Sequence, residues 1–234
     1  MPTFVLVHGS GQNAASWHPV AERLRARGHH VLTPELEKAA RGLGEHAAQV
    51  AAATPPDSIV VAHSLSGVLL PLVAAARPCR VLAFVAAVIP EPGRSVRGQF
   101  AADATMFAPE WIAQGPRWRD PAAVPELARS FLFHDAEPED LPAMLATMAP
   151  LDPSILVTES APFTRWCAPT ACLVATADRT LQPAWIERTC RRVLRHGPDR
   201  IETGHCPHQV RPDATARWLD GLASARRDVG AGVS

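Results

Sequence analysis

The stretch Ser58-Ile59-Val60-Val61-Ala62-His63-Ser64-Leu65-Ser66-Gly67-Val68-Leu69-Leu70-Pro71-Leu72-Val73-Ala74 reads as a strand, a serine and a helix in immediate succession. Four strand-forming residues, Ser58 to Val61, lead in, and the apolar run Val68 to Ala74 follows. A serine at so sharp a strand-to-helix turn is thrust out of the backbone with its hydroxyl exposed. The adjoining helix N-terminus favours negative charge there. That is how a weak alcohol is presented as a nucleophile. The turn needs small neighbours because the chain folds back on itself. In the pattern G-x-S-x-G, the two glycine positions are held here by Ala62 and Ser66, with Gly67 just behind. Both substitutes are small. Taken alone, the same run also describes a helix N-terminus that Ser64 merely caps, so the rest of the chain has to decide.

Strand and helix alternate on both sides of that turn. Thr3-Phe4-Val5-Leu6-Val7 is an apolar run ending in His8-Gly9-Ser10-Gly11, the pattern of a buried parallel strand and a loop. Between Ala14 and Arg27 the residues Trp17, Val20, Ala21 and Leu24 fall on one helical face, and Gly28 ends the helix. His30-Val31-Leu32-Thr33 is a short strand stopped by Pro34, and a second helix runs from Gly44 to Ala53. Beyond the serine turn, Arg80 to Ala86 is another buried strand. Thr170 to Thr176 is a strand, Pro183 to Val193 a helix, Arg200 to Glu202 a short strand, and Pro212 to Ala223 a helix. This alternation predicts an α/β fold with a doubly wound, mostly parallel sheet. In such sheets the sites lie at the carboxyl ends of the strands.

The rhythm breaks between Pro90 and Trp166, where prolines are frequent and no buried strand is evident. Large apolar residues are scattered through it, among them Phe100, Phe107, Trp111, Trp118, Phe131 and Met148. Val124–Phe133 and Pro138–Met148 read as helices. Residues 91–166 are therefore expected to form a helical cap inserted into a core of residues 1–90 and 167–225. The polar, glycine-containing tail over 226–234 is expected to be disordered.

Composition sets outer limits. The 234 residues are 47% hydrophobic and 20% charged, with zero formal net charge and ten histidines. That balance gives no reason to expect a nucleic-acid partner. No apolar run approaches the roughly 20 residues of a membrane span. The first strand follows Met1-Pro2 directly, which leaves no room for a signal peptide and makes a cytoplasmic location the expectation. The five cysteines form no metal-finger spacing, and most are expected to be buried free thiols. Lys38 is the one lysine against 22 arginines, and tyrosine is absent. Such bias fits a GC-rich bacterial source.

A nucleophilic serine needs a base, and the base an orienting acid. His205, in Thr203-Gly204-His205-Cys206-Pro207-His208, lies just past the last strand, with a glycine that lets the backbone turn and aim the ring. Its bland alternative is a surface-loop histidine. His208 competes but belongs to the following turn. His63 adjoins the serine and should pack beneath the site, and His8 should brace the first loop. Asp178 comes directly after the Thr170–Thr176 strand, where it could equally be an ordinary turn aspartate. Glu91 and Asp103, after the Arg80–Ala86 strand, are its substitutes. The resulting order is Ser64, Asp178, His205, that of the elbow enzymes whose triad runs Ser, acid, His.

Over nearly its whole length the chain resembles the α/β-hydrolase superfamily, in particular the small esterases near the plant methylesterases and hydroxynitrile lyases. The residues carrying the resemblance are Phe4-Val5-Leu6-Val7-His8-Gly9-Ser10, Ala62-His63-Ser64-Leu65-Ser66-Gly67, Ala177-Asp178 and Gly204-His205. The resemblance implies a serine hydrolase acting through an acyl-enzyme. Ser64 is then the nucleophile, His205 the base, Asp178 the acid, and the backbone N–H groups of Ser10 and Leu65 the oxyanion hole. His8, Gly9 and His63 would support the site. No metal or organic cofactor is implied, and the partner is a small acyl substrate. A serine at the elbow sets aside the epoxide hydrolases and haloalkane dehalogenases of this fold, which use a carboxylate there. The lyase branch places a threonine where this chain has Gly9 and a lysine where it has Cys206, which favours ester hydrolysis. The alternatives are a lyase, cyclase or other tailoring enzyme of bacterial secondary metabolism, and a non-catalytic ligand-binding module.

Overall fold

The structure is a computed structural model and describes residues 1–37, 39–149 and 153–224. Six strands form one sheet: β1 (Thr3–Val7), β2 (His30–Leu32), β3 (Ser58–His63), β4 (Cys79–Val85), β5 (Thr170–Ala175) and β6 (Asp199–Ile201). All pair in parallel, in the order β2-β1-β3-β4-β5-β6. The helices are α1 (His18–Ala26), α2 (Leu43–Ala52), α3 (Leu70–Ala76), α4 (Val96–Ala102), α5 (Pro109–Ala113), α6 (Val124–Leu127), α7 (Leu141–Leu145), α8 (Ser154–Thr158), α9 (Pro183–Thr189), α10 (Pro207–Val210) and α11 (Pro212–Ser224).

Side chains alternate across the sheet and divide the core into two layers. Phe4, Leu6, Ile59, Val61, Ala83 and Leu173 face one side, against Trp17, Val20 and Leu24 beside and on α1 and Leu219 and Leu222 of α11. Val5, Val7, Val60, Leu82, Phe84 and Val174 face the other, against Val50 of α2, Val73 of α3 and Trp185 and Ile186 of α9. Both faces of β3 and β5 are buried throughout, which is why those strands read as unbroken apolar runs rather than alternating ones. The strand order reverses direction between β1 and β3. Their carboxyl ends flank a topological switch point, the place where such sheets bind ligands.

Prolines explain where helices differ from their expected extents. The run after Ser64 begins as a 3₁₀ helix over Ser64–Leu69, and the α-helix opens only at Leu70. Pro71 has no N–H to continue a ladder upstream, so it is accommodated in a first turn. The helix expected over Pro138–Met148 shrinks to α7, with Pro142 in its first turn. The one expected over Val124–Phe133 is α6 followed by a π-helical turn, Ala128–Leu132.

Among the described residues, β4 and β5 are separated by the short helices α4–α8 and no strand. Part of this segment joins the main core through Val96, Met106, Leu156 and Phe163. Another part packs its own small cluster of Ala128, Leu132, Phe133 and Met144 with Cys206. Residues 226–234, expected to be disordered, lie outside the described residues. Among the described residues no helix is long and apolar enough to cross a membrane.

Candidate functional site

Ser64 is the first residue after β3 and has φ 55°, a left-handed backbone that side chains other than glycine adopt at a cost. Its carbonyl accepts from Val88 N–H at 2.9 Å, and Ser66 Oγ donates to the His8 carbonyl at 2.5 Å. The residue in the second glycine position thus ties the elbow to the end of β1. The tightest packing falls one residue later. A Cβ on Gly67 would lie 2.1 Å from the Val88 carbonyl oxygen, so only glycine fits. Ser64 does not cap the helix that follows it: the N-cap residue is His63, and no side chain bonds there.

The Ser64 hydroxyl instead meets His205, with Oγ 2.9 Å from Nε2. On the other edge of the ring, Nδ1 lies 2.7 Å from Asp178 Oδ2. With the ring proton on Nδ1, that N–H donates to the carboxylate and Ser64 O–H donates to Nε2. The second carboxylate oxygen, Oδ1, accepts from Thr180 N–H at 2.7 Å, Thr180 Oγ1 at 2.9 Å and Leu181 N–H at 3.2 Å. Asp178 is therefore also a turn aspartate: one oxygen holds its own loop, and the other holds the imidazole. Asp178 and His205 are both buried. The structure brings Ser64, His205 and Asp178 into one hydrogen-bonded line.

His8, Gly9 and His63 pack around the elbow. His8 Nδ1 donates to the Gly9 carbonyl at 2.8 Å, and Nε2 accepts from Leu36 N–H at 3.1 Å. Burial holds its pKa below the ordinary histidine value, against the pull of Gly9 and Glu35. Gly9 lies against the elbow: a Cβ there would stand 2.9 Å from His63 Nδ1 and 3.1 Å from Ser64 Cβ. His63 packs beneath, its Nε2–H donating to the His205 carbonyl at 2.9 Å. Its ring lies between those of His205, 4.8 Å away, and His208, 4.3 Å away. Burial, reinforced by the neighbouring imidazoles, keeps His63 well below the ordinary histidine range.

The competing candidates lie elsewhere. His208 is fully buried on α10 against Trp17, at 4.4 Å. Glu91 is taken by Arg94 and Arg192, and Asp103 by Arg188. Cys206 is a buried free thiol whose pKa burial raises well above the usual value. It packs in the small cluster, as expected.

Three features lie beyond the sequence reading. Thr180 Oγ1 is 2.7 Å from His205 Nδ1 as well as bonded to Asp178, so it braces both. The adjacent Asp-x-Thr spacing is the one local signal for it. His134 and Asp135, from the segment between β4 and β5, clasp the two loops that carry Asp178 and His205. His134 Nε2–H donates to the Ala177 carbonyl at 3.0 Å. Asp135 Oδ2 accepts from Thr203 Oγ1 at 2.7 Å and Gly204 N–H at 2.8 Å. This corrects the expected role of Gly204. Its φ is not in the left-handed region, and what demands glycine is the clasp itself, since a Cβ would stand 2.7 Å from Asp135 Oδ1. Third, Gln12 fixes the loop after β1. Thr147 O–H donates to the Met144 carbonyl, Gln209 Nε2–H to Thr147 Oγ1, and Gln12 Nε2–H to Gln209 Oε1. Each donation sets the next, so the orientation of both amides is determined.

Ser64 and His205 open onto a cavity of about 560 Å³. Ser10 and Leu65 line it beside them, and Phe100, Phe107, Trp111, Trp118 and Leu181 form apolar walls.

Residues 4–218 match a family model described as "Alpha/beta hydrolase family". Two rice proteins, from Oryza sativa subsp. indica and subsp. japonica and each called "Probable esterase PIR7A", are 32% identical over 179 residues, 62% of this chain. The chain spans 64% of the length of each. The fold is shared with an extracellular alpha/beta-hydrolase from a Paenibacillus species, at TM-score 0.74 and 21% identity over 97% of this chain and 100% of that one. A pyrethroid hydrolase from Sphingobium faniae JZ-2 also shares it, at TM-score 0.72 and 18% identity over 96% and 98%.

Proposed function

Since the chain belongs to the alpha/beta hydrolase family, we propose that it is a serine esterase that cleaves a small, fairly apolar ester, lactone or thioester. The observation that carries this reading is the unbroken line from Ser64 Oγ through His205 to Asp178, with contacts of 2.9 and 2.7 Å. In this reading Ser64 Oγ attacks the substrate carbonyl as its proton passes to His205 Nε2. Asp178 holds the tautomer that leaves Nε2 free and stabilises the imidazolium that forms. The tetrahedral oxyanion accepts hydrogen bonds from the backbone N–H groups of Ser10 and Leu65. One such donor is worth on the order of 3–4 kcal/mol in a transition state. His205 then protonates the leaving alcohol or thiol. Water, deprotonated by the same nitrogen, releases the acid from Ser64.

Residues 91–166 act as the cap over the strand ends, and their aromatic side chains supply the apolar substrate wall. Supporting hydrolysis over cyanohydrin cleavage is Gly9: any side chain there meets His63 and Ser64 within about 3.1 Å. The test is a fluorophosphonate probe, followed by a panel of short esters, lactones and thioesters. The wild-type protein should label at Ser64 and show a burst of product with activated aryl esters. Labelling that survives Ser64→Ala would overturn the assignment.

A further inference from the structure

We propose that Arg97 gives the cavity an anion subsite. The preferred substrates are then esters that carry a second, negatively charged group, a carboxylate, at the end away from the scissile carbonyl. The proposal rests on the ester-cleaving reading and adds the substrate class.

Arg97 stands on α4 and lines the cavity that holds Ser64 and His205. Among the described residues no other Asp, Glu, Lys or Arg lines it, and the walls between are mostly apolar. Arg97 is exposed, as are Ile112, Pro153 and Thr158 around the same cavity, whereas His205 is buried. The cation therefore marks the rim, and the serine and its base mark the floor.

The acidic residues nearest Arg97 in the sequence are held by other arginines. Glu91 pairs with Arg94 and Arg192, and Asp103 with Arg188. Arg97 has no acidic partner among the described residues. Its aliphatic stem can lie along the apolar wall while the charged head stays at the opening. At the exposed rim its planar guanidinium fork can take a ligand carboxylate in a bidentate pair. Distance from the serine matters too. A substrate anion beside Ser64 would oppose the negative charge that develops on the oxyanion, whereas one held at the rim leaves that charge undisturbed.

The test compares half-esters with neutral twins of the same length. Monomethyl esters of straight-chain dicarboxylic acids are set against the methyl esters of the matching ω-amides. ω-Carboxyalkyl acetates against ω-carbamoylalkyl acetates cover binding through the alcohol side. The acid should be preferred in kcat/KM by roughly three- to tenfold on one of the two sides, and the preference should shrink as salt is added. The acid-to-amide ratio should fall towards one in Arg97→Gln, drop below one in Arg97→Glu and persist in Arg97→Lys. A ratio of one in the wild type, or one that Arg97→Gln leaves in place, overturns the subsite. Binding of the same pairs to Ser64→Ala, followed by the fluorescence of Trp111 and Trp118, reads the subsite without turnover. Equal affinity for acid and amide there sinks it even if no ester is cleaved. Turnover of the amides without preference for the acids sinks the subsite and leaves the esterase reading standing.

Discussion

At the scale of single residues the site depends on which ring nitrogen of His205 carries the proton. Asp178 Oδ2, 2.7 Å from Nδ1, places it there and leaves Nε2 to accept from Ser64. Asp178→Asn keeps one oxygen for the Thr180 turn but turns an NH₂ group towards Nδ1. The ring then carries its proton on Nε2, where it cannot act as a base. We expect kcat to fall by about 10³–10⁴-fold with the fold intact, measured as turnover beside an unchanged far-UV spectrum. Full activity would mean that another acid serves the base. Gly9 makes a different demand. Gly9→Ala adds a Cβ 2.9 Å from His63 Nδ1 and 3.1 Å from Ser64 Cβ. Neither neighbour can move freely, since His63 is bonded to the His205 carbonyl and Ser64 sits in a strained backbone. Stability should fall by about 1–3 kcal/mol in denaturant titrations. kcat should fall more than KM rises, because what is displaced is the proposed nucleophile and not the apolar cavity wall. An active, fully stable Gly9→Ala protein would count against the close packing.

At the scale of elements, what was legible in the sequence was what is local and periodic. The runs at Thr3–Val7, Ser58–His63 and Thr170–Ala175 announce buried parallel strands, and Ser64, Asp178 and His205 each follow a strand within a few residues. Once the strands are placed, the carboxyl edge places those side chains. The short helices between β4 and β5 were less legible, because prolines cut their periodicity to one or two turns. Least legible was the clasp from that segment onto the Asp178 and His205 loops. Asp135 and Gly204 are 69 residues apart, and nothing local in either one signals the other. Asp135→Ala removes the acceptor for Thr203 Oγ1 and Gly204 N–H, two hydrogen bonds to a charged group. Each is worth about 1.5–3 kcal/mol, so a loss of about 3–6 kcal/mol in unfolding free energy is expected. The loop holding His205 should loosen as well, with a fall in kcat that exceeds any change in KM. Unchanged stability in that variant would reduce the clasp to an incidental contact.

At the scale of the whole molecule, part of the response to acid lies with buried histidines. His208 is the plainest case. It is fully buried between Trp17 and His63, neither ring nitrogen has a hydrogen-bond partner, and burial pushes its pKa down to about 3. His63 and His8 are shifted in the same direction, burial being the larger cause in each. In the unfolded chain these rings take up protons as the pH falls through about 6.5. In the folded protein His208 stays neutral down to about 3. Between those limits the unfolded state holds more protons, so stability is full above about pH 6.5 and declines as the pH drops. Each such histidine steepens the decline by up to about 1.4 kcal/mol per pH unit. His208→Phe keeps an aromatic ring between Trp17 and His63 and removes one of the titrating groups. Carboxylates also contribute to acid unfolding below about pH 5, and they are common to both proteins. The comparison therefore isolates the histidine. Urea midpoints measured at pH 7.5, 6.5, 5.5 and 4.5 should converge or cross in favour of the variant as the pH falls. Their difference in stability should change by about 1.4 kcal/mol for each unit below 6. Parallel curves for the two proteins would mean that His208 is protonated in the folded state, and that its burial against Trp17 and His63 costs the molecule nothing in acid.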